Sequence, residues 1–154
     1  MARSTNKVSD LSSELQVRHV VEGYFSAIDR GHSADLAGCF ADNAIATYQT
    51  GTKDEQRISG REEIVNQLQS ILMRLGPSNH SISNMHVELN GDTANVTTFA
   101  VVQFLADGRV FARGLRYEDR VARRTEYWAI TERRHYPLWQ YDVVATLPGL
   151  PAAK

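Results

Sequence analysis

Residues 93–121, "TANVTTFAVVQFLADGRVFARGLRYEDRV", decide the fold. Two runs rich in β-branched and aromatic residues flank Asp107-Gly108, a pair that readily takes the backbone conformation of a tight hairpin. Upstream, "NHSISNMHVEL" (79–89) runs into a second turn at Asn90-Gly91-Asp92. Downstream, the Arg-rich "RVARRTE" leads into "EYWAITERRHY" (126–136). Long strands joined by hairpins make an antiparallel, strongly curved or bulged sheet. In strand 93–105, one face carries Ala94, Val96, Thr98, Ala100, Val102 and Phe104, the other Asn95, Thr97, Phe99, Val101, Gln103 and Leu105. Neither face is plainly polar, so both are expected to be covered, one by helices or a cavity and the other by a partner subunit. A homo-oligomer, dimer or trimer, follows as an expectation.

Before the meander the period changes from two to 3.6. Val17, Val20, Val21, Tyr24, Phe25 and Ile28 form an i, i+3, i+4 stripe that predicts a helix over 13–30, ended by Gly31. Ser33 is expected to cap a short helix, "ADLAGCF", with Asp35 near its positive end. "NAIATYQTG" alternates as a short strand, and "TKDEQRIS" reads as a polar loop. Ser59 and Glu62 fit a capping box for a third helix, 60–75, with Ile64, Leu68, Ile71, Leu72 and Leu75 inward. Helices first and a meander afterwards give an α+β class. The expected architecture is a cone: a curved antiparallel sheet with a mixed edge, wrapped around N-terminal helices. A cone of this size holds one small ligand. The expected organisation is one domain over 13–145, with loosely held ends at 1–12 and 146–154.

The chain has 154 residues, 42% of them hydrophobic and 23% charged, and a formal charge of −1. That length suits one domain with a real core. The near-neutral charge supplies no field for nucleic acid or a membrane surface, and the basic cluster Arg120, Arg123 and Arg124 reads as a solvated hairpin turn. With no membrane-length apolar run and no signal-peptide pattern, a cytoplasmic protein without nucleic-acid or membrane partners is expected. The single cysteine, Cys39, lies on an apolar helix face with no adjacent histidine and reads as a buried structural thiol.

Phosphate-loop, zinc and nucleophile-elbow signatures are missing. His80 and His86, six apart, would share a strand face at about 20 Å, too far to share a metal. Neither a metal nor a cofactor is therefore expected. Tyr24, Asp29, Tyr48, His80, His86, His135 and several strand arginines remain. A carboxylate near a helix C-terminus opposes the helix dipole, so Asp29 either faces water, caps something or points into a cavity. By default Tyr24 is core, Tyr48 a half-buried strand residue and His80 a strand-edge residue, while His86 and His135 are structural. Arg113 and Arg116 fall on opposite faces by parity, with at least one expected to pair with a carboxylate such as Glu118 or Asp119. Trp128 and Trp139 are expected in the core or a pocket wall.

"VVEGYFSAIDRGHSADLAGCFADNAIATYQTG", "ISGREEIVNQL", "NHSISNMHVEL" and "GLRYEDRV", in that order and spacing, resemble the SnoaL-like branch of the nuclear transport factor two-like superfamily over residues 13–140. Within it the chain looks most like dehydratases and lyases: scytalone dehydratase, bile-acid 7α-dehydratase and hexachlorocyclohexane dehydrochlorinase. The resemblance implies a catalytic Asp29 in "AIDRG" with His80 in "SNHSIS", and pocket tyrosines at Tyr24 and Tyr48. It departs where scytalone dehydratase has a second pocket histidine, here Phe104 or a neighbour, and a pocket asparagine, here near Gly114. Steroid isomerases of the superfamily place their base where this chain has Tyr48. The implied activity is a cofactor-independent dehydratase, lyase or isomerase acting on a small hydrophobic molecule, steroid-, terpenoid-, aromatic- or polyketide-like. His80 would remove a proton from carbon, held by Asp29, with a tyrosine donating to oxygen. The alternative is a non-catalytic ligand-binding or assembly module, for example the small partner subunit of a dioxygenase. An epoxide hydrolase or cyclase is the third reading, and it lacks a second Asp beside Arg113, Arg116 or Arg133.

Overall fold

A computed structural model describes residues 2–146, with side chains from Val8 onward. Three helices, α1 (Ala2–Arg30), α2 (Ser33–Gly38) and α3 (Arg61–Leu72), accompany six strands. These are β1 (Phe40–Tyr48), β2 (Gln56–Ser59), β3 (Ser78–Asn90), β4 (Thr93–Ala106), β5 (Arg109–Arg123) and β6 (Trp128–Val144). The strands form one sheet in the order β2-β1-β6-β5-β4-β3. All neighbours are antiparallel except β1 and β6, which run parallel. The sheet is therefore mixed and stays open. It curves into the expected α+β cone, with α1 against β3 and β6 and α3 against β1.

The buried stripe of α1 is Val17, Val21, Tyr24, Phe25, Ala27 and Ile28. The helix starts well before the stripe, at Ala2 rather than residue 13. Extending an existing helix costs little, so polar turns continue it although Val8, Leu11 and Leu15 stay exposed. From residue 147 the predicted tail lies outside the described residues. In β4 the set Ala94, Val96, Thr98, Ala100, Val102 and Phe104 is the buried face. The other face is only partly covered, with Phe99 36% exposed.

Several element termini differ from the sequence expectation. Gln56–Ser59, expected as loop, pairs with β1 at Ile45 to Tyr48. Ser59 is thus a strand residue and makes no capping box; Gly60, at φ +93°, sits at the start of α3 without a side-chain cap. Ser33 is the first residue of α2, and His32 precedes it without a side-chain cap bond. Arg120 and Arg123 lie within β5 rather than in the turn.

Three bulges set which side chains face inward. Between Ile82 and Met85, β3 carries one extra residue, so Ser78, His80 and Ile82 point inward before the bulge and Met85, Val87 and Leu89 after it. His86 therefore faces out, paired with Glu88 at 3.3 Å, and does not share His80's face as simple alternation predicted. In β6 a bulge at Thr131 turns Arg133 and His135 to the inner side, and a second at Leu138 turns Trp139 outward. Trp139 is 48% exposed, lying across Gly114 and stacked on Tyr141, not in the core or a pocket wall. Trp128 is in the core as expected.

Candidate functional site

Helix α1 ends in a Schellman arrangement that aims Asp29. The N–H of His32 donates to the carbonyl of Ala27 at 2.9 Å and that of Gly31 to Ile28 at 3.1 Å, with Gly31 at φ +67°. Asp29 is thereby directed across to the first residues of β3. Its Oδ1 meets His80 Nδ1 at 2.6 Å and accepts the Ser78 hydroxyl at 3.0 Å, while Oδ2 accepts the His80 backbone N–H at 2.7 Å. Burial pushes the carboxyl up, but the His80 ring bond, its backbone N–H, its charge and Ser78 together hold it below the ordinary 3.8. These bonds offset the unfavourable helix-end position. Because a carboxylate only accepts, Nδ1 carries a proton, and in the neutral ring Nε2 keeps a lone pair.

His80, its side chain 8% exposed, lies on the wall of a cavity of about 300 Å³. Asp29 stands behind it rather than on the wall. Ile28, Leu68, Ile71, Leu72, Leu75, Val102, Phe104 and Leu115 make the lining largely apolar. Tyr24 and Tyr48 also line it, their hydroxyls 3.5 Å apart. Burial, then Tyr24, raise the Tyr48 hydroxyl well above its ordinary 10.0, so it remains an O–H donor at neutral pH. The four residues singled out by sequence are thus brought to one cavity, three on its wall and Asp29 behind. Phe104 is on that wall too, whereas Gly114 lies under Trp139 on the outer side.

Two groups have places that the sequence did not assign. Arg133 is 0% exposed and makes a bidentate pair with Asp119, both bonds 2.7 Å. Its guanidinium lies 3.7 Å from the Tyr24 ring centre and 5.0 Å from that of Tyr117. Burial works against its charge, but Asp119 outweighs it and raises the pKa. Asp119 is the second Asp that the epoxide-hydrolase reading lacked, yet the pair is sealed behind Tyr24 and off the cavity wall. Arg116 pairs with Glu118 at 3.2 Å, and Arg113, on the wall, binds the neutral Gln140 amide. The other missed group is His135, read as structural. It is 8% exposed and on the cavity wall. The backbone N–H of Gln49 donates to its Nδ1 at 3.2 Å. Burial and then the charge of Arg133 lower its pKa from 6.5 to about 4.

That shift has a consequence for stability. The unfolded chain takes up a proton at this histidine near 6.5, the folded chain only near 4. Stability is expected to be full above pH 6.5 and to fall by about 3 kcal/mol as pH drops to about 4. Asp29, depressed below 3.8, loses its contribution only at lower pH. Urea unfolding across pH 4–7 measures this, and a profile in His135→Phe as steep as in the wild type would contradict it.

Cys39 is buried, with its thiol pushed up to about 11 chiefly by burial, consistent with a structural role. Among the described residues no three His, Cys, Asp or Glu side chains converge as a metal site, and no helix is long and apolar enough to cross a membrane.

A family model described as a SnoaL-like domain matches residues 9–134. Rv2910c, an uncharacterized protein of Mycobacterium tuberculosis H37Rv, is 30% identical over 135 residues, covering 85% of this chain and 89% of its own. Among solved structures, hexachlorocyclohexane dehydrochlorinase LinA type 2 superposes with a TM-score of 0.82 at 14% identity, over 94% of this chain and 99% of that one. A scytalone dehydratase-like protein of Novosphingobium aromaticivorans DSM 12444 gives 0.78 at 17% identity, again over 94% and 99%. At these identities the two solved structures speak for the fold.

Proposed function

The chain belongs to the SnoaL-like domain family, and from its cavity we propose a cofactor-independent lyase or isomerase that moves a proton on a small hydrophobic substrate. The observation that carries this is the 2.6 Å bond between Asp29 and His80 Nδ1, with the His80 ring on the wall of an apolar cavity. Nε2 takes a proton from a carbon next to a carbonyl or opposite a leaving group. Asp29 holds the tautomer and stabilises the imidazolium as it forms. Tyr24 or Tyr48 donates to the enolate oxygen or the departing hydroxyl, a contribution of about 3 kcal/mol for a preorganised donor. The dehydrochlorinase and dehydratase-like neighbours on the same fold support an elimination or isomerisation class. Phe99, about one third exposed on the outer face of β4, supports the homo-oligomer expected from sequence.

The test needs no known substrate. In D2O, the wild type is expected to exchange the α-hydrogens of an apolar ketone, 2-tetralone, as read by proton NMR. His80→Ala should slow that exchange by about 10²–10⁴-fold. Equal rates in the two proteins would remove His80 as the base.

A further inference from the structure

We propose that His135 is a neutral hydrogen-bond donor to the substrate oxygen, so that the cavity is built for an enolisable carbonyl compound rather than for elimination of a halide from a hydrocarbon. This deepens the function proposed above and rests on it for the identity of the base. Gln49 has a φ of +58°, a left-handed conformation uncommon outside glycine. That turn points two successive backbone N–H groups at one residue. Gln49 donates to His135 Nδ1 at 3.2 Å, and Thr50 donates to the His135 carbonyl at 2.9 Å. A backbone N–H can only donate, so Nδ1 must accept, and the proton of the neutral ring resides on Nε2. Among the described residues Nε2 makes no hydrogen bond, and the ring lines the cavity.

Burial, then the charges of Arg133, Arg113 and His80, favour the uncharged ring, against a backbone hydrogen bond that works the other way. His135 lies beside Tyr48 and Tyr117, with ring centres 5.7 and 5.2 Å away. Tyr48 in turn meets Tyr24 through their hydroxyls. One wall therefore carries O–H and N–H donors together with the base His80. A carbonyl oxygen gaining negative charge as its α-proton leaves matches that set, because donors strengthen toward an oxyanion. A departing chloride also gains negative charge but is a weaker hydrogen-bond acceptor than an enolate oxygen, so the donors favour the carbonyl compound.

The test uses 4-nitrophenol, whose absorbance distinguishes bound phenolate from phenol and which has no carbon acid for the base to act on. It is run on the wild type, His135→Phe and His135→Gln, each also in a His80→Ala background so that His80 cannot take the phenol proton. The donor role predicts phenolate binding about tenfold or more weaker in His135→Phe and largely retained in His135→Gln, whose amide still donates. Equal phenolate binding in wild type and His135→Phe overturns the proposal. Folding of the variants does not limit the test, because imidazole 15N–1H correlation spectra of the wild type read the tautomer directly. An Nε2–H neutral ring at pH 7 supports the proposal; a proton on Nδ1, or an imidazolium, overturns it. Failure of His80 as the base would appear in ketone exchange and leave phenolate binding intact, so the two readings fail separately.

Discussion

Asp29→Asn is expected to slow α-hydrogen exchange of 2-tetralone by about 10²–10⁴-fold while leaving the fold intact. The carboxylate accepts three bonds, from the His80 ring, the His80 backbone N–H and the Ser78 hydroxyl. An amide has one accepting oxygen and a donating NH2 group, so it cannot satisfy all three. If its oxygen stays with the backbone N–H, the NH2 faces Nδ1 and forces the imidazole proton onto Nε2. The nitrogen facing the cavity then carries a proton and cannot act as a base. The stability cost of the mismatch is about 1–3 kcal/mol, which a domain of this size survives. The measurement is the exchange rate beside a thermal melt. Full exchange in a variant whose imidazole NMR shows the proton on Nε2 would end the dyad reading. The opposite pairing, with Asn oxygen at Nδ1 and NH2 against the backbone N–H, would unseat the start of β3 and appear in the melt.

The second large effect concerns stability. Asp119→Ala is expected to destabilise the fold by about 3–5 kcal/mol, because it strands the fully buried Arg133 cation without its bidentate partner. In a chain of this length that lowers the melting temperature by about 10 °C. Four aromatic rings surround the guanidinium, Tyr24 at 3.7 Å, Tyr117 at 5.0 Å, Phe25 at 5.7 Å and Phe40 at 5.9 Å. Such faces attract a cation but do not replace a carboxylate. Removing both charges in Arg133→Met with Asp119→Leu should recover most of the loss, since a buried pair is seldom better than a well-packed apolar one. The double variant should still lose exchange activity, because Tyr24 no longer rests on a fixed cation. A chemical denaturation series over the two single variants and the double variant measures the coupling. Asp119→Ala within about 1 kcal/mol of wild type would mean the pair does not hold the inner face together.

Much of the architecture is local and so was legible. The α1 stripe from Val17 to Ile28, the turns at Gly91 and Gly108, and the alternation of β4 are set by neighbours a few residues apart. The termini were less legible. Ser59 has the chemistry of a cap but becomes a strand residue, because pairing with β1 outweighs a single capping bond. For the site, residue type and order pointed to Asp29, His80, Tyr24 and Tyr48 through the family resemblance, and the structure brings His80, Tyr24 and Tyr48 to one cavity wall with Asp29 behind His80. Nothing local gave Arg133, Asp119 or His135 a place in the interior. In "EYWAITERRH" plain alternation puts Trp128 and Ile130 on one face with Glu132 and Arg134, and sends Arg133 and His135 to the other.

By itself, then, the chain specified helix, turn and strand wherever a short period repeats, and an α+β class with an apolar interior. The tertiary structure alone decided which polar groups enter that interior. A single extra residue at Thr131 reverses the parity of β6 and turns Arg133 and His135 inward, and the extra residue in β3 sends His86 out while His80 stays in. Whether an extra residue is accommodated as a bulge depends on the ladder of the neighbouring strand, which lies far away in sequence. The tautomers of the two cavity histidines are likewise set from a distance, His80 by a carboxylate 51 residues earlier and His135 by a backbone N–H 86 residues earlier.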